Sequence, residues 1–255
     1  VSNHACVTVA HHGSVALVSL NRPDVLNAID ADVCDRLVAI FDELESENNA
    51  RVVLLRGVGT RAFSAGADLT YMRRLQGPAL ARFIEKTWVC FDRISQSSLP
   101  TIAALHGYVL GGGLELALAC DLRLADDSVR IALPEMSLGS VPGSGAMQRL
   151  PALIGTSKTF ELAAFGRRLH AGEALSLGLI NALTDDMPLM ETAMHWATQL
   201  SQRPAEALRY AKVAMRIRGD PAVAAAMHGM VSVTCHEAKG YMHQTDRFNN
   251  KNISS

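Results

Sequence analysis

His106–Asp121 reads H-G-Y-V-L-G-G-G-L-E-L-A-L-A-C-D. An apolar strand runs into three successive glycines and then into a strongly apolar helix. Glycines let the chain turn tightly and let another group approach the backbone N–H donors. The helix that starts there directs unpaired N–H groups, and the positive end of its dipole, at whatever lies above it. Such a place suits an anion or a developing oxyanion. A tight strand-to-helix turn with no ligand explains the glycines equally well. Glu115 adds weight to the first reading, because no other charged residue stands between His106 and Asp121. A first-turn carboxylate is favoured by the dipole and could serve as a cap. On a helix of Leu, Ala and Cys, however, it is buried and needs a partner or a purpose. Burial raises its pKa toward the range useful for proton transfer.

Strands and helices alternate on the N-terminal side of this stretch. Cys6–Ala10 and Val15–Leu20 are apolar runs split by His11–Ser14, which predicts a hairpin. Val33, Leu37, Ile40, Phe41 and Leu44 recur at helical spacing, with Asp30 or Asp32 as cap. Arg51–Arg56 reads as a buried strand. A second helix has Leu80, Phe83, Ile84, Trp88, Phe91 and Ile94 on its inner face and stops before Leu99-Pro100. Thr101–Leu105 is the next strand. Further on, short strands are expected at Asp121–Leu124 and Arg130–Leu133. Helices follow at Met147–Leu153, Ser157–Phe165, Ala171–Leu177, Leu189–Gln202, Ala205–Arg216 and Pro221–Gly240, with a polar end at Asn249–Ser255. The expectation is an α/β core over residues 1–190 and a helical region over 191–255.

Composition narrows the function. The 255 residues are 49% hydrophobic and 19% charged, enough for a large core, and the formal net charge is −1. That balance gives no electrostatic case for nucleic acid or a membrane surface as partner. Cys6, Cys34, Cys90, Cys120 and Cys235 are odd in number and widely spaced, which predicts free thiols in a reducing compartment. No apolar run reaches membrane-spanning length. Val1–Ala10 lacks a basic region followed by an apolar stretch, so no signal peptide is expected there.

Two further segments carry chemistry. Ala62–Leu69, A-F-S-A-G-A-D-L, follows a strand and combines small residues with a glycine; an ordinary loop capped by Asp68 is the plain alternative. Glu135 follows Pro134 at a strand end, where α/β proteins often place catalytic side chains; a surface Glu at a turn is the plain alternative there.

Taken together and in order, these segments resemble the enoyl-CoA hydratase/isomerase (crotonase) family. Asn21-Arg22-Pro23-Asp24-Val25-Leu26-Asn27-Ala28 is similar to the family's N-R-P-x-x-x-N-A segment. Phe63–Leu69 is similar to its F-x-A-G-A-D-[LI] loop. His106–Asp121 resembles its G-G-G-x-E-L-A signature. Pro134-Glu135, Gly139, Pro142-Gly143 and Gln148-Arg149-Leu150 resemble its P-E-x-x-x-G-x-x-P-G-x-x-x-x-Q-R-L stretch. The resemblance runs from about Val7 to beyond Ile180.

It implies a crotonase-like α/β spiral of β-β-α units, with a C-terminal helical region used for trimerisation, and a homotrimer or a homohexamer of two trimers. It also implies reversible addition of water to a trans-2-enoyl-CoA to give a 3-hydroxyacyl-CoA. Glu115 and Glu135 would be the catalytic pair, and the N–H groups of Ala67 and Gly112 the oxyanion hole. Arg22, Asp24, Val25, Leu26, Ala28, Ala65, Ala67, Asp68, Leu69, Gly111, Gly112, Pro142 and Gly143 would contact the acyl-CoA thioester. No metal or redox cofactor is implied, coenzyme A being part of the substrate. The compartment would be the cytoplasm in a bacterium, or the mitochondrial matrix in a eukaryote after removal of a targeting segment.

Delta-isomerases, decarboxylases and methylglutaconyl-CoA-type hydratases are the alternatives within the family; a non-catalytic CoA-binding protein is the alternative outside catalysis. The chain departs from the family at Thr70 and Tyr71, where many relatives carry a lysine and an acidic residue; Arg73 or Arg74 is the expected substitute. It departs again over His236–Phe248. Gly57-Val58-Gly59-Thr60-Arg61-Ala62 fits a dinucleotide fingerprint, but that fingerprint needs a following helix and a distant acidic residue. Gly143-Ser144-Gly145 lacks the spacing of a hydrolase elbow. His228, His236 and His243 are spaced too far apart for a helical metal pair.

Overall fold

The computed structural model describes residues 5–184, 187–216 and 232–234. The expected hairpin forms with a shorter loop: strands β1 (Val7–His12) and β2 (Val15–Leu20) pair antiparallel out to His12 and Val15, leaving Gly13 and Ser14 as the turn. Helix α1 (Ala31–Glu47) buries Val33, Leu37, Ile40, Phe41 and Leu44, as their spacing requires, and the Asp30 side chain accepts from Val33 N to cap it. Strand β3 (Val52–Gly57) follows, then β4 (Ala62–Ser64), α2 (Leu69–Met72) and α3 (Pro78–Ser95).

The next turn of chain is β5 (Thr101–Leu105), β6 (Tyr108–Leu110) and α4 (Gly112–Ala119). Strands β7 (Leu122–Ala125) and β8 (Arg130–Ala132) come next, followed by α5 (Ala146–Arg149), α6 (Pro151–Ile154), α7 (Thr156–Phe165), β9 (Leu169–His170), α8 (Ala171–Ser176), β10 (Ala182–Leu183), α9 (Leu189–Ser201) and α10 (Ala205–Arg216).

Each winding deposits one strand in each of two sheets. The larger sheet has the order β1-β2-β3-β5-β7-β10 and is parallel beyond β2; the smaller is β4-β6-β8-β9. This is the spiral of β-β-α units. The windings begin at Val52, Thr101 and Leu122. Their unequal lengths explain why the sequence shows no repeat.

Parallel strands covered on both faces read as unbroken apolar runs. Every residue of β2 and β5 is accordingly buried. Alternate side chains face opposite layers. Val18, Val53, Leu55, Ala103 and Leu105 pack toward α1, α3 and α4. Val15, Leu17, Val52, Leu54, Ile102 and Leu124 pack toward Leu189, Ala193 and Ala197 of α9. Helix α9 crosses the expected boundary at residue 190.

Two expectations need correction, and one rejected reading stays rejected. The inner face of α3 is Phe83, Thr87, Cys90, Phe91 and Ile94; Leu80 is half-buried, and Ile84 and Trp88 remain 41% and 37% exposed. The buried stripe is narrower than the apolar one, because the flank of α3 borders a cavity. The helix expected over Met147–Leu153 is split at Pro151, which has no N–H to continue the ladder. No helix follows the Gly57–Ala62 run, which enters strand β4 and so rules out a dinucleotide turn.

Cys6, Cys34, Cys90 and Cys120 are free thiols. Among the described residues no helix is long and apolar enough to cross a membrane. Of the expected helix over Pro221–Gly240 only 232–234 are described, and they are helical; the departures over His236–Phe248, the three C-terminal histidines, Cys235 and the end at Asn249–Ser255 lie outside the described residues.

Helix α10 is docked by charge. Lys212, only 5% exposed, donates to the Leu99 carbonyl at 2.7 Å and pairs with Asp121 at 2.6 Å. Asp121 also accepts from the backbone and hydroxyl of Thr101. Removing one partner of a buried pair strands the other. Lys212→Ala should therefore lower unfolding free energy by on the order of 2–3 kcal/mol, since Asp121 keeps some contact with water. A shift of the urea midpoint at constant m-value checks this.

Candidate active site

Strand β4 ends in the Ala65-Gly66-Ala67 loop, which runs beside Ile29 as a short parallel bridge. Ile29 N donates to Gly66 O, and Asp68 N donates to Ile29 O, both at 2.8 Å. That pairing uses the groups on either side of Ala67 and turns the N–H of Ala67 away from Ile29. Gly112 opens α4, so its N–H has no acceptor within the helix. The two meet: a Cβ built on Gly112 would lie 3.5 Å from Ala67 N. Two backbone donors therefore stand side by side at a helix start. Their spacing is held by Gly113, where any Cβ would collide with the Ser64 carbonyl oxygen.

Both glutamates reach the same place from different windings. Glu115 sits in the first turn of α4 and is 3% exposed. Its Oε1 accepts from Ser144 N at 2.7 Å and Ala146 N at 3.1 Å. Burial raises its pKa, and those N–H donors together with nearby Arg149 oppose the rise. Glu135 opens a 3-10 turn, Glu135–Leu138, just beyond Pro134. Its Oε2 is buried without a hydrogen-bond partner. Its Oε1 occupies the place where a Cβ on Gly111 would stand, a residue with φ +50°. Burial, with the charge of Glu115 added, pushes the Glu135 carboxyl up to about 7.

A cavity of about 320 Å³ joins these groups. Of the residues expected at the site, Ala65, Ala67, Leu69, Gly111, Gly112, Glu115, Glu135 and Gly143 line it. Asp24 and Leu26 line a second cavity of about 320 Å³ with Gly59 and Arg61. Arg22, Val25, Ala28, Asp68 and Pro142 line neither. Arg22 is a tie: its guanidinium donates to Ala28 O at 2.6 Å and pairs with Asp30 at 2.9 Å and Asp68 at 3.0 Å. Asp68 also accepts from Tyr71 N, capping α2. Val25 is exposed, whereas Ala28 and Pro142 are buried. Arg73 and Arg74 are exposed just beyond α2. Among the described residues no group of three or more His, Cys, Asp or Glu is placed to hold a metal ion.

Sequence reasoning missed the other side of the cavity. Phe83, Ile84, Thr87 and Phe91 of α3 form much of its wall. Thr87 Oγ1 lies 2.7 Å from Ser144 Oγ. The signal for Thr87 was a lone hydroxyl between Phe83 and Phe91 on an apolar face. Ser144 was weighed only as a hydrolase nucleophile, whereas its backbone N–H is what serves the site.

Residues 10–244 match the family model described as enoyl-CoA hydratase/isomerase. The chain belongs to the enoyl-CoA hydratase/isomerase family. The short-chain-enoyl-CoA hydratase of Clostridium acetobutylicum is 34% identical over 209 residues, 82% of this chain and 80% of that protein. The crystal structure of enoyl-CoA hydratase from Bacillus anthracis superposes with a TM-score of 0.93 at 32% identity, covering 96% of each chain. A Thermobifida fusca relative solved in complex with CoA superposes with a TM-score of 0.83 at 29% identity, covering 90% of this chain and 92% of that one.

The raised Glu135 pKa has a cost in stability. Its folded pKa of about 7 exceeds its ordinary 4.5. Below 4.5 both folded and unfolded chains carry the proton. As pH rises toward 7 the unfolded chain ionises first, so stability falls through that window. Glu135→Gln removes this titration. Its melting temperature should match wild type near pH 4 and exceed it by roughly 2–4 °C or more at pH 8, which differential scanning calorimetry at the two pH values will read.

Proposed function

We propose that this protein is an enoyl-CoA hydratase, adding water reversibly to a trans-2-enoyl-CoA to give the 3-hydroxyacyl-CoA. The observation that carries the reading is the pair of buried carboxylates in one cavity, one gripped by backbone donors and one with an unpartnered oxygen, beside two aligned N–H donors. Glu115 Oε1 accepts two backbone hydrogen bonds, which favour its ionised form. Glu135 has one sealed, unpartnered oxygen and a pKa of about 7, which favours its protonated form. Unequal hydrogen bonding to the two carboxyls divides the labour between base and acid.

In this mechanism Glu115 takes a proton from water as its oxygen bonds to C3 of the enoyl group. The electron pair of the double bond moves toward the thioester carbonyl. Ala67 and Gly112 N–H meet the negative charge there, each donor worth about 10²–10³-fold in rate by comparison with other oxyanion holes. Glu135 then gives its proton to C2, and the enolate collapses to product. Proton exchange with solvent restores the starting pair. Neither a metal nor a redox cofactor enters the scheme.

Coenzyme A would lie along Arg22–Ala28 and the 65–69 loop, with Arg73 or Arg74 meeting its phosphates in place of the family's lysine. Short or medium acyl chains are the substrates proposed. A trimer or a hexamer of two trimers is the assembly proposed.

Glu115→Gln and Glu135→Gln should each lower hydration by at least ~10²-fold, the usual worth of a general acid or base. The double variant should be far less than multiplicatively worse, because both side chains serve one water. Wild-type kcat/KM should fall as pH rises through an apparent value near 7, where the acid loses its proton; the two groups titrate as a pair. The assay is loss of conjugated enoyl absorbance. Intact hydration in Glu115→Gln with none in Glu135→Gln would replace the hydratase with an isomerase that shuttles one proton on a single carboxylate.

A further inference from the structure

The donors that hold Glu115 come from Ser144, in the irregular segment Gly143–Gly145 that follows the 3-10 turn, and from Ala146, the first residue of α5. Glycine at 143 and 145 makes this loop conformationally loose, so something must fix it. Arg149 does so. Its Nη1 donates to Ser144 O at 3.1 Å, while Nη2 reaches Asp92 and Ser95 on α3, both at 3.5 Å. The guanidinium lies against the Cα of Gly145, where any Cβ would overlap it, and 5.8 Å from the centroid of the Trp88 ring. Arg149 thus spans from α3 to the peptide units whose N–H groups grip the carboxylate. The groups facing it are Asp92, Ser95 and Trp88 from α3, Glu115 from α4 with Cys120 just past its end, and the carbonyl of Ser144 from the loop before α5.

We propose that Arg149 is a positioning residue that aims Glu115, by pinning the 143–146 loop through the Ser144 carbonyl; the role rests on Glu115 being the catalytic base. Arg149 touches neither water nor thioester in this scheme. It sets the direction of the Ser144 and Ala146 N–H groups and supplies the nearest balancing positive charge. Displacement of a reacting group by about 1 Å can cost ~10²-fold in rate, so a loop freed from its clamp matters although no reacting group is removed.

The experiment is steady-state hydration across a pH series by full-length wild type, Arg149→Ala, Arg149→Lys and Arg149→Gln, with circular dichroism and melting curves on each. Arg149→Ala should lower kcat ~10–10²-fold with KM for the enoyl-CoA within about 3-fold, because nothing that holds the thioester has changed. The acidic limb of kcat/KM should move to higher pH, since Glu115 loses the cation that favours its ionised form. Arg149→Lys keeps the charge but not the planar fork; its acidic limb should return toward wild type while kcat recovers in part. Added to Glu115→Gln, Arg149→Ala should cost no more than about a further 2-fold.

A lower melting temperature with wild-type kcat and an unmoved acidic limb would make Arg149 merely structural and overturn the proposal. If Arg149→Ala does not fold, Arg149→Gln decides: it keeps an N–H donor without the charge, and an unmoved acidic limb in that variant overturns it equally. Glu115→Gln separates the levels. Full activity there removes the catalytic reading and this role with it. An inactive Glu115→Gln beside a fully active Arg149→Ala removes only the role of Arg149.

Discussion

The contact between the start of α4 and the end of β4 is the constraint on which the site depends. Gly113 leaves no space for a side chain against the Ser64 carbonyl, so helix and strand meet backbone to backbone. From that contact the Gly112 N–H inherits its place beside Ala67. The bridge between Ile29 and Ala67 supplies the complementary half by turning the Ala67 N–H outward. The donor pair is therefore a property of main-chain packing. It stands at the junction of two sheets because each winding of the spiral must cross from one sheet to the other.

Electrostatics are built on that frame by withholding partners. Both glutamates are placed where water is scarce, and neither has a basic side chain in hydrogen-bond contact. Glu115 receives only backbone donors, and Glu135 has an oxygen with none. Elsewhere the protein treats buried charge conventionally. Lys212 is paired with Asp121, and buried Arg123 donates to the carbonyls of Ala117, Cys120 and Leu179. Unsatisfied carboxyl chemistry is concentrated in the cavity, as expected where proton affinity serves a reaction.

Much of this was legible in the residues. The long windings declared themselves through unbroken apolar strands and the helical spacing of Val33, Leu37, Phe41 and Leu44. Glu115 stood out because a lone charge on an apolar helix demands an explanation. Other parts could not be seen. Strands β4 and β6 are only three residues each, too short for a period, so the crossing between sheets was hidden. The α3 wall was blurred because its apolar stripe continues past the core onto the cavity, and a stripe does not say what it faces. The grip of Ser144 and Ala146 on Glu115 uses main-chain N–H groups, which every residue but proline carries. Glu135 was a candidate from its strand-end position, but its approach to Gly111, in a different winding, could not be read from the residues.

The Arg22 tie has a consequence for the entropy of association. One guanidinium joins Ala28, Asp30 and Asp68, and so fastens the segment between β2 and α1 to the 65–69 loop before any ligand arrives. Both segments are ordered when the chain folds. In the proposed reading, coenzyme A lying along them gives up its own freedom but need not also freeze these two segments, so the conformational cost there falls on the guest.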